Sequence, residues 1–172
     1  MYIQQLKIPK ERIAVLIGTK AETKREIEKK TNTELEISSE DGSVLIKGED
    51  SLNIYLTKFI IQAIARGFNP ELALTLLDED YCLEIINIKD YCGNSKKKLT
   101  RLKSRLIGTE GNARKNIEKM TNTNICVYGK TVSILGELNK VLIAKEAVIC
   151  LLKGAPHGNA YKYIEKLSRK TL

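Results

Sequence analysis

The segment from Leu106 to Ile117, LIGTEGNARKNI, is the most informative part of the chain. It predicts the end of one helix, a Gly-x-x-Gly turn over Gly108–Gly111, and the start of a second helix. Glycine has no Cβ, so it adopts positive φ readily and lets another backbone approach closely. A turn that feeds a helix N-terminus also presents free amides and the positive end of the helix dipole. The segment therefore predicts a phosphate site on the turn backbone, with Arg114 and Lys115 one turn further on.

The surroundings of this turn occur twice in the chain, which makes the two glycines more significant than they would be alone. LIGT at residues 16–19 returns at residues 106–109, and IEKKTNT at 27–33 returns as IEKMTNT at 117–123. Both matches lie 90 residues apart. Gly48 and Gly136 are only 88 apart, because the first copy has a longer loop. Ungapped matches followed by a slip inside a loop indicate a duplication.

The sequence of each copy predicts the element order β-α-α-β-β-α, followed by an extra helix at the C-terminal end of the copy. Three strands in one antiparallel sheet, with helices on one face, form an α+β layer. In the second copy the sequence predicts a turn at residues 92–94, a helix from the Ser95 cap to Ile107, and a last helix from Asn159 to Lys170. We place the boundary so that residues 1–80 form the first domain and residues 81–172 the second.

The distribution of charge separates the two copies more clearly than the net charge of +8 does. Residues 1–80 carry 11 Lys or Arg and 14 Asp or Glu, a net charge of −3. Residues 81–172 carry 18 and 7, a net charge of +11. The excess positive charge thus lies entirely in the half that contains Gly108–Gly111, which predicts a polyanion as its partner.

Several classes of protein are disfavoured by the composition. No apolar run approaches the roughly 18–20 residues of a membrane helix, and the N-terminus lacks the apolar core of a signal peptide. We therefore expect a soluble cytoplasmic protein without membrane contact. The four cysteines form no C-x₂-C pair and lie far in sequence from the sole histidine, His157, which argues against zinc. With one histidine and no Walker loop, we predict no catalytic residues, no cofactor and no metal.

The element order, with GxxG between the first two helices, resembles a type I KH domain. KH domains bind about four nucleotides of single-stranded RNA or DNA in a groove beside this turn. Ile107, Ile117, Ile125 and Val127 would form the aliphatic floor of the groove, although Ile117 suits plain core packing better. Glu110 places a carboxylate beside the phosphate path, where it either lowers affinity or points to solvent. The predicted RNA-binding residues are Lys103, Arg105, Ile107, Gly108, Thr109, Glu110, Gly111, Asn112, Arg114, Lys115, Ile125 and Val127.

The first copy departs from this pattern at the fourth position of its turn. Ala21 stands where the second copy has Gly111, and its Cβ is expected to narrow close approach and to oppose positive φ. Acidic Glu22 then opens the following helix. We predict that the second copy binds nucleic acid and that the first, degenerate copy packs or contacts a protein.

With the repeat, the turn at Gly108–Gly111, VSILG at residues 132–136 and GAPHG at residues 154–158 in view, the whole chain resembles a known family. It is similar to the compact archaeal form of the small-ribosomal-subunit assembly factor called Partner of Nob. The resemblance implies binding near the 3′ end of the small-subunit ribosomal RNA precursor. It also implies assistance to the Nob endonuclease and contact with the alpha subunit of translation initiation factor two.

Other readings of the sequence remain open. A KH adaptor in RNA decay or transcription elongation would share the fold but prefer another RNA. A protein-interaction scaffold would use neither turn for RNA. An enzyme is the least supported class, because no nucleophile–base set is evident. We favour a non-catalytic RNA-binding assembly factor.

Overall fold

A computed structural model describes residues 1–171 of the protein. The chain divides into two compact units, the first over Met1–Glu79 and the second from Asp80 onward. Each unit has three strands in one antiparallel sheet together with its own helices. The expected α+β architecture is confirmed.

The first unit begins with a strand, and its last two α-helices are a long one followed by a short one. Its strands and helices, in chain order, are β1 (Tyr2–Lys7), α1 (Lys10–Ile17), α2 (Glu22–Thr31), β2 (Glu34–Ile37), β3 (Ser43–Gly48), α3 (Ser51–Ala65) and α4 (Pro70–Leu74). Asn69 caps α4 by accepting a hydrogen bond from the amide of Leu72, and Pro70 occupies its first turn.

The second unit has the same order with one additional helix. Its elements are β4 (Tyr81–Asn87), α5 (Lys89–Cys92), α6 (Lys96–Ile107), α7 (Asn112–Thr121), β5 (Asn124–Tyr128), β6 (Thr131–Glu137), α8 (Leu138–Leu152) and α9 (His157–Lys170). The turn predicted at residues 92–94 is present at Gly93 and Asn94, while Cys92 ends a short helix, α5. One prediction needs correction: α9 begins at His157 rather than Asn159, with Pro156 at its N-cap, where the fixed φ of −59° suits the start of a helix.

The last strand of each sequence repeat lies in the middle of its sheet. The strand order is β1-β3-β2 in the first unit and β4-β6-β5 in the second, and every pairing is antiparallel. Val44 and Ile46 of β3 point to the same face and are fully buried, as are Val132 and Ile134 of β6. The long helix of each unit, α3 or α8, packs against the central strand of its sheet.

Equivalent side-chain hydrogen bonds show that the repeat extends to tertiary detail. The carboxylate of Glu28 accepts the amide of Leu35 at 2.8 Å, and that of Glu118 accepts the amide of Ile125 at 2.8 Å. Each bond ties the helix after the glycine turn, α2 or α7, to the edge strand that follows it, β2 or β5. The acceptor satisfies an amide that has no strand partner, and an unsatisfied amide would cost about 1–3 kcal/mol if buried. Both units therefore fix the helix-to-strand corner in the same way.

Each unit also ties the end of its long helix to the helix before the glycine turn, α1 or α6, through an arginine. The guanidinium of Arg12 donates to the carbonyls of Ile64 at 2.8 Å and Phe68 at 2.9 Å. In the second unit the guanidinium of Arg105 donates to the carbonyl of Leu151 at 2.9 Å and to that of Ala155. The two arginines are not equivalent in the repeat, so different positions perform the same structural task.

Candidate nucleic-acid interface

The turn between α6 and α7 depends on a glycine at its first position. Gly108 has φ 74° and ψ 176°, a region of backbone space that is essentially restricted to glycine. A Cβ at this position would lie 2.7 Å from the Cβ of Ala113 and 2.8 Å from its amide nitrogen. Glu110 and Gly111 follow with φ 54° and 75°. Gly108 is therefore required for the chain to fold back onto α7.

Part of the amide surface of the turn is open. The amide of Gly111 donates to the carbonyl of Gly108 at 3.2 Å, and the amide of Asn112 donates to that of Thr109. Two of the amides expected to meet a phosphate are thus used inside the turn. Within residues 1–171, the amides of Thr109 and Glu110 have no such partner. These two amides are the ones that the turn can offer to an anion.

The predicted basic pair after the turn separates into two roles. The ammonium of Lys115 lies 3.4 Å from the carbonyl oxygen of Glu110, directly over the turn. Arg114 points elsewhere, because its guanidinium donates to the Glu118 carboxylate and to the carbonyl of Ile125, both at 3.2 Å. Lys115 is therefore the cation placed at the turn, while Arg114 joins α7 to β5.

The predicted RNA-binding residues on α6 also separate. Arg105 holds the end of α8 through two carbonyls, as described above, so its charge is fixed away from the turn. Lys103 and Ile107 are partly exposed on α6, and Ile107 ends that helix directly before Gly108. Lys103 and Ile107 thus remain accessible, whereas Arg105 has a structural role.

The aliphatic floor is only partly accessible to a ligand. Ile125 is 4% exposed and Ile117 is 1% exposed, and both belong to the core of the second unit. Val127 is half-buried and packs against that core. Ile107, the turn, Asn112 and Lys115 are thus accessible to a ligand, whereas Ile117 and Ile125 belong to the core.

A cluster of lysines at the β5–β6 hairpin was missed by the sequence analysis. The amide of Ile88 donates to the carbonyl of Lys130 at 2.9 Å, which places Lys89 beside the hairpin loop. The hydrogen-bonding contact with Lys89, together with its charge, lowers the pKa of the Lys130 ammonium, and Lys96 adds to the effect. The sequence feature that could have predicted this cluster is Lys130 itself, because it lies in the loop that borders a KH groove. The cluster adds positive charge beside the loop of the β5–β6 hairpin.

The turn of the first unit has the same backbone conformation, contrary to one expectation. Gly18 has φ 74° and ψ 175°, and Lys20 and Ala21 follow with φ 52° and 60°. The Cβ of Ala21 therefore does not prevent positive φ. The guanidinium of Arg25 donates to the carbonyls of Ala21, at 3.2 Å, and of Lys20. The two turns thus share the path of the chain and differ in side chains: Ala21 replaces Gly111, Lys20 replaces Glu110 and Glu22 replaces Asn112. The units also differ in net charge.

Comparison with known proteins identifies the family. A model of the second KH domain of Pno1, described as a eukaryotic-type, type I KH domain, matches residues 82–169. The chain belongs to the Partner of Nob family. A general KH-domain model matches residues 3–63, so the family's two-KH layout accounts for both units. This protein is therefore a KH RNA-binding protein related to the Pno1 and Dim2 pre-rRNA-processing proteins.

Individual family members agree with this assignment. A KH domain-containing protein of Methanocaldococcus jannaschii is 48% identical over 172 residues, which cover 98% of this chain and 75% of that protein. The pre-rRNA-processing protein Pno1 of Schizosaccharomyces pombe is 32% identical over 125 residues, covering 72% of this chain and 48% of that protein. The chain thus spans about half the length of this fungal relative.

Solved structures of relatives share the fold across the whole chain. Dim2p from Pyrococcus horikoshii is 45% identical with a TM-score of 0.89, covering 96% of this chain and 99% of that one. A second structure is a complex of a/eIF2alpha, aDim2p and rRNA from the same organism, with a TM-score of 0.89 and coverage of 99% and 96%. A protein of unknown function from Aeropyrum pernix is 33% identical with a TM-score of 0.94, covering 99% and 92%.

Across residues 1–171, no helix is long and apolar enough to cross a membrane. Over the same range, no group of three or more His, Cys, Asp or Glu side chains could hold a metal ion. The four cysteines are free thiols, and burial raises the pKa of the Cys82 thiol, with a smaller contribution from Glu84.

Proposed function

We propose that this protein binds single-stranded RNA through the turn of its second KH domain, near the 3′ end of the small-subunit ribosomal RNA precursor. It acts there in the cytoplasm as a non-catalytic assembly factor. The observation that carries the proposal is the pair of open amides at Thr109 and Glu110, with Lys115 over the same turn. Two amides and an ammonium converge where a backbone phosphate would lie, and they stand in the half of the chain with net charge +11.

The choice of RNA rests on the relatives. A family member from Pyrococcus horikoshii has been solved with rRNA and a/eIF2alpha, and the fungal relatives are pre-rRNA-processing proteins. We extend these partners to this chain, and we add the Nob endonuclease on the basis of the family resemblance. The first KH domain, with its net negative charge and Glu22 at the start of α2, is proposed to serve a protein contact rather than RNA.

Fluorescence anisotropy with labelled oligonucleotides tests the RNA assignment. The probes are a strand matching the 3′ end of the small-subunit rRNA, a scrambled strand of the same composition, and the matching duplex. We expect the matching single strand to bind most tightly. A footprint of about four nucleotides predicts a log–log salt slope of about −2 to −3, since each neutralised phosphate of a single strand adds about −0.7.

Two results would contradict the proposal. Equal affinity for the matching and scrambled strands would show that the protein binds RNA without preferring the rRNA 3′ end, which contradicts the proposed target. An affinity that is the same at low and high salt would contradict the proposed phosphate contact itself. The protein partners are tested separately, by pull-down of purified Nob and of the initiation factor's alpha subunit with the full chain. A protein that is not retained is not a partner.

A further inference from the structure

The second unit contains a positively charged cavity that the GxxG turn does not use. It has a volume of about 450 Å³ and lies between α6 and the C-terminal end of α8. None of the residues that line it is acidic. The side chains relevant to a ligand are Tyr91, Lys98, Arg101, Arg105 and Lys153. This volume is in the range of pockets that hold small ligands, and four cations around one cavity favour an anion.

The charges in this cavity are organised for a ligand rather than neutralised by the protein. Within residues 1–171, the structure contains no ion pair for Lys98, Arg101 or Lys153, and all three are exposed. Arg105 holds its charge at the wall by donating to the carbonyls of Leu151 and Ala155. The exposed side chains of Lys98, Arg101 and Lys153 can contact a phosphate beside the guanidinium of Arg105, which its two carbonyl contacts already order.

The end of α8 would normally disfavour an anion, because the free carbonyls of a helix C-terminus carry partial negative charge. Here those carbonyls already accept hydrogen bonds. The carbonyl of Ile149 accepts the amide of Lys153 at 3.0 Å, that of Cys150 accepts the amide of Ala155 at 3.0 Å, and that of Leu151 accepts the amide of Gly154 at 3.1 Å. The Arg105 guanidinium also donates to the Leu151 carbonyl, so the charge left for an anion comes from Lys98, Arg101 and Lys153.

Helical geometry relates the cavity to the groove beside the turn. Leu102 and Leu106 bury one side of α6, and successive residues are rotated by about 100°. Lys98 and Arg105 therefore lie on one flank of α6, while Lys103 and Ile107 lie on the other, next to the GxxG turn. The solvent-facing side between the flanks presents Lys97, Thr100 and Ser104. The sequence of α6, KKKLTRLKSRLI, contains six basic residues and no acidic one.

We infer that the cavity binds a backbone phosphate of the same RNA strand, after the strand leaves the groove and crosses the exposed side of α6. The inference rests on the proposed function, and it lengthens the footprint beyond the nucleotides held at the turn. A helix with its side chains is about 10–12 Å across, so the crossing spans one helix. The ligand class is a phosphodiester, and the positive side chains recognise it without base specificity.

The test uses the full chain and two lengths of the 3′-end strand, 5 and 12 nucleotides. The variant Lys98→Gln, Arg101→Gln, Lys153→Gln removes three exposed charges. We expect it to bind the short strand as the wild type does and to bind the long strand at least tenfold more weakly, with a salt slope less steep by about 0.7, the contribution of one neutralised phosphate. A matched control, Lys162→Gln, Lys166→Gln, Lys170→Gln on α9, loses the same charge outside the cavity and should keep both affinities.

The outcomes separate this inference from the proposed function. Equal losses for the two lengths, or equal losses in the cavity variant and the control, would overturn the strand path. So would saturation of the cavity by AMP in an NMR titration, with affinity for the long strand unchanged, because the site would then serve a free nucleotide. If the wild type does not bind the short strand, the proposed function itself is contradicted. Unfolding curves of both variants check that the exposed substitutions leave the fold intact.

Discussion

Replacement of Gly111 by aspartate tests the phosphate contact without breaking the turn. The Cβ that this change adds would find the Cε of Lys115 at 3.7 Å as its nearest neighbour, which is ordinary van der Waals contact. The backbone at φ 75° and ψ 12° is left-handed, a conformation that Asp and Asn adopt more readily than other side chains. Ala21 already tolerates the equivalent conformation in the first unit. We therefore expect the fold to lose only about 1 kcal/mol.

The effect on RNA affinity follows from the charge. We take about 5 Å as the separation between a carboxylate on residue 111 and a phosphate held by the amides of Thr109 and Glu110. Two unit charges at that distance repel by about 0.8 kcal/mol in water and about 3.3 kcal/mol at an effective dielectric constant of 20. Since 1.4 kcal/mol corresponds to a tenfold change, Gly111→Asp should weaken binding between about 4-fold and 250-fold.

Anisotropy titrations with the 3′-end strand measure this loss against two controls. Gly111→Asn has the same shape and backbone preference without the charge, so it should retain most of the affinity. Ala21→Asp places the same carboxylate on the first turn and should change affinity little. The reasoning is refuted if the Asp and Asn variants bind equally, or if aspartate at residues 21 and 111 causes equal losses. Gly108 is unsuitable for this test, because any Cβ there meets Ala113 at 2.7 Å.

Three further changes probe the electrostatics and the corner of the second unit. Glu110→Gln removes a carboxylate that has no ion pair within residues 1–171, so it should strengthen RNA binding by about 2- to 10-fold in the same titration. Lys89→Gln removes the neighbour that lowers the pKa of Lys130, so this pKa should rise towards its ordinary value in an NMR titration of the lysine side chains; an unchanged value would contradict the proposed contact. Glu118→Ala leaves the amide of Ile125 without its acceptor and should lower the free energy of unfolding by about 1–3 kcal/mol in urea denaturation, with Glu118→Gln retaining part of it.

Local pattern was enough to predict most of the architecture. The Ser95 cap and the GxxG turn are each specified by a few adjacent residues, and the structure places them as expected. The duplication then allowed one unit to check the other. Element order and apolar periodicity suffice here because capping, turn geometry and burial act over a few residues along the chain.

The sequence by itself determined the two α+β KH units, their duplicated order, the glycine turn and the concentration of positive charge in the second half. The tertiary structure decided how the individual side chains are used. Arg105 reaches carbonyls 46 and 50 residues away, and Ile125 lies in the core rather than on an open floor. It also brings Tyr91 and Lys153 to one cavity. Periodicity tells which side of a helix is polar, but which neighbour that side meets depends on the packing of distant segments, and no local rule contains it.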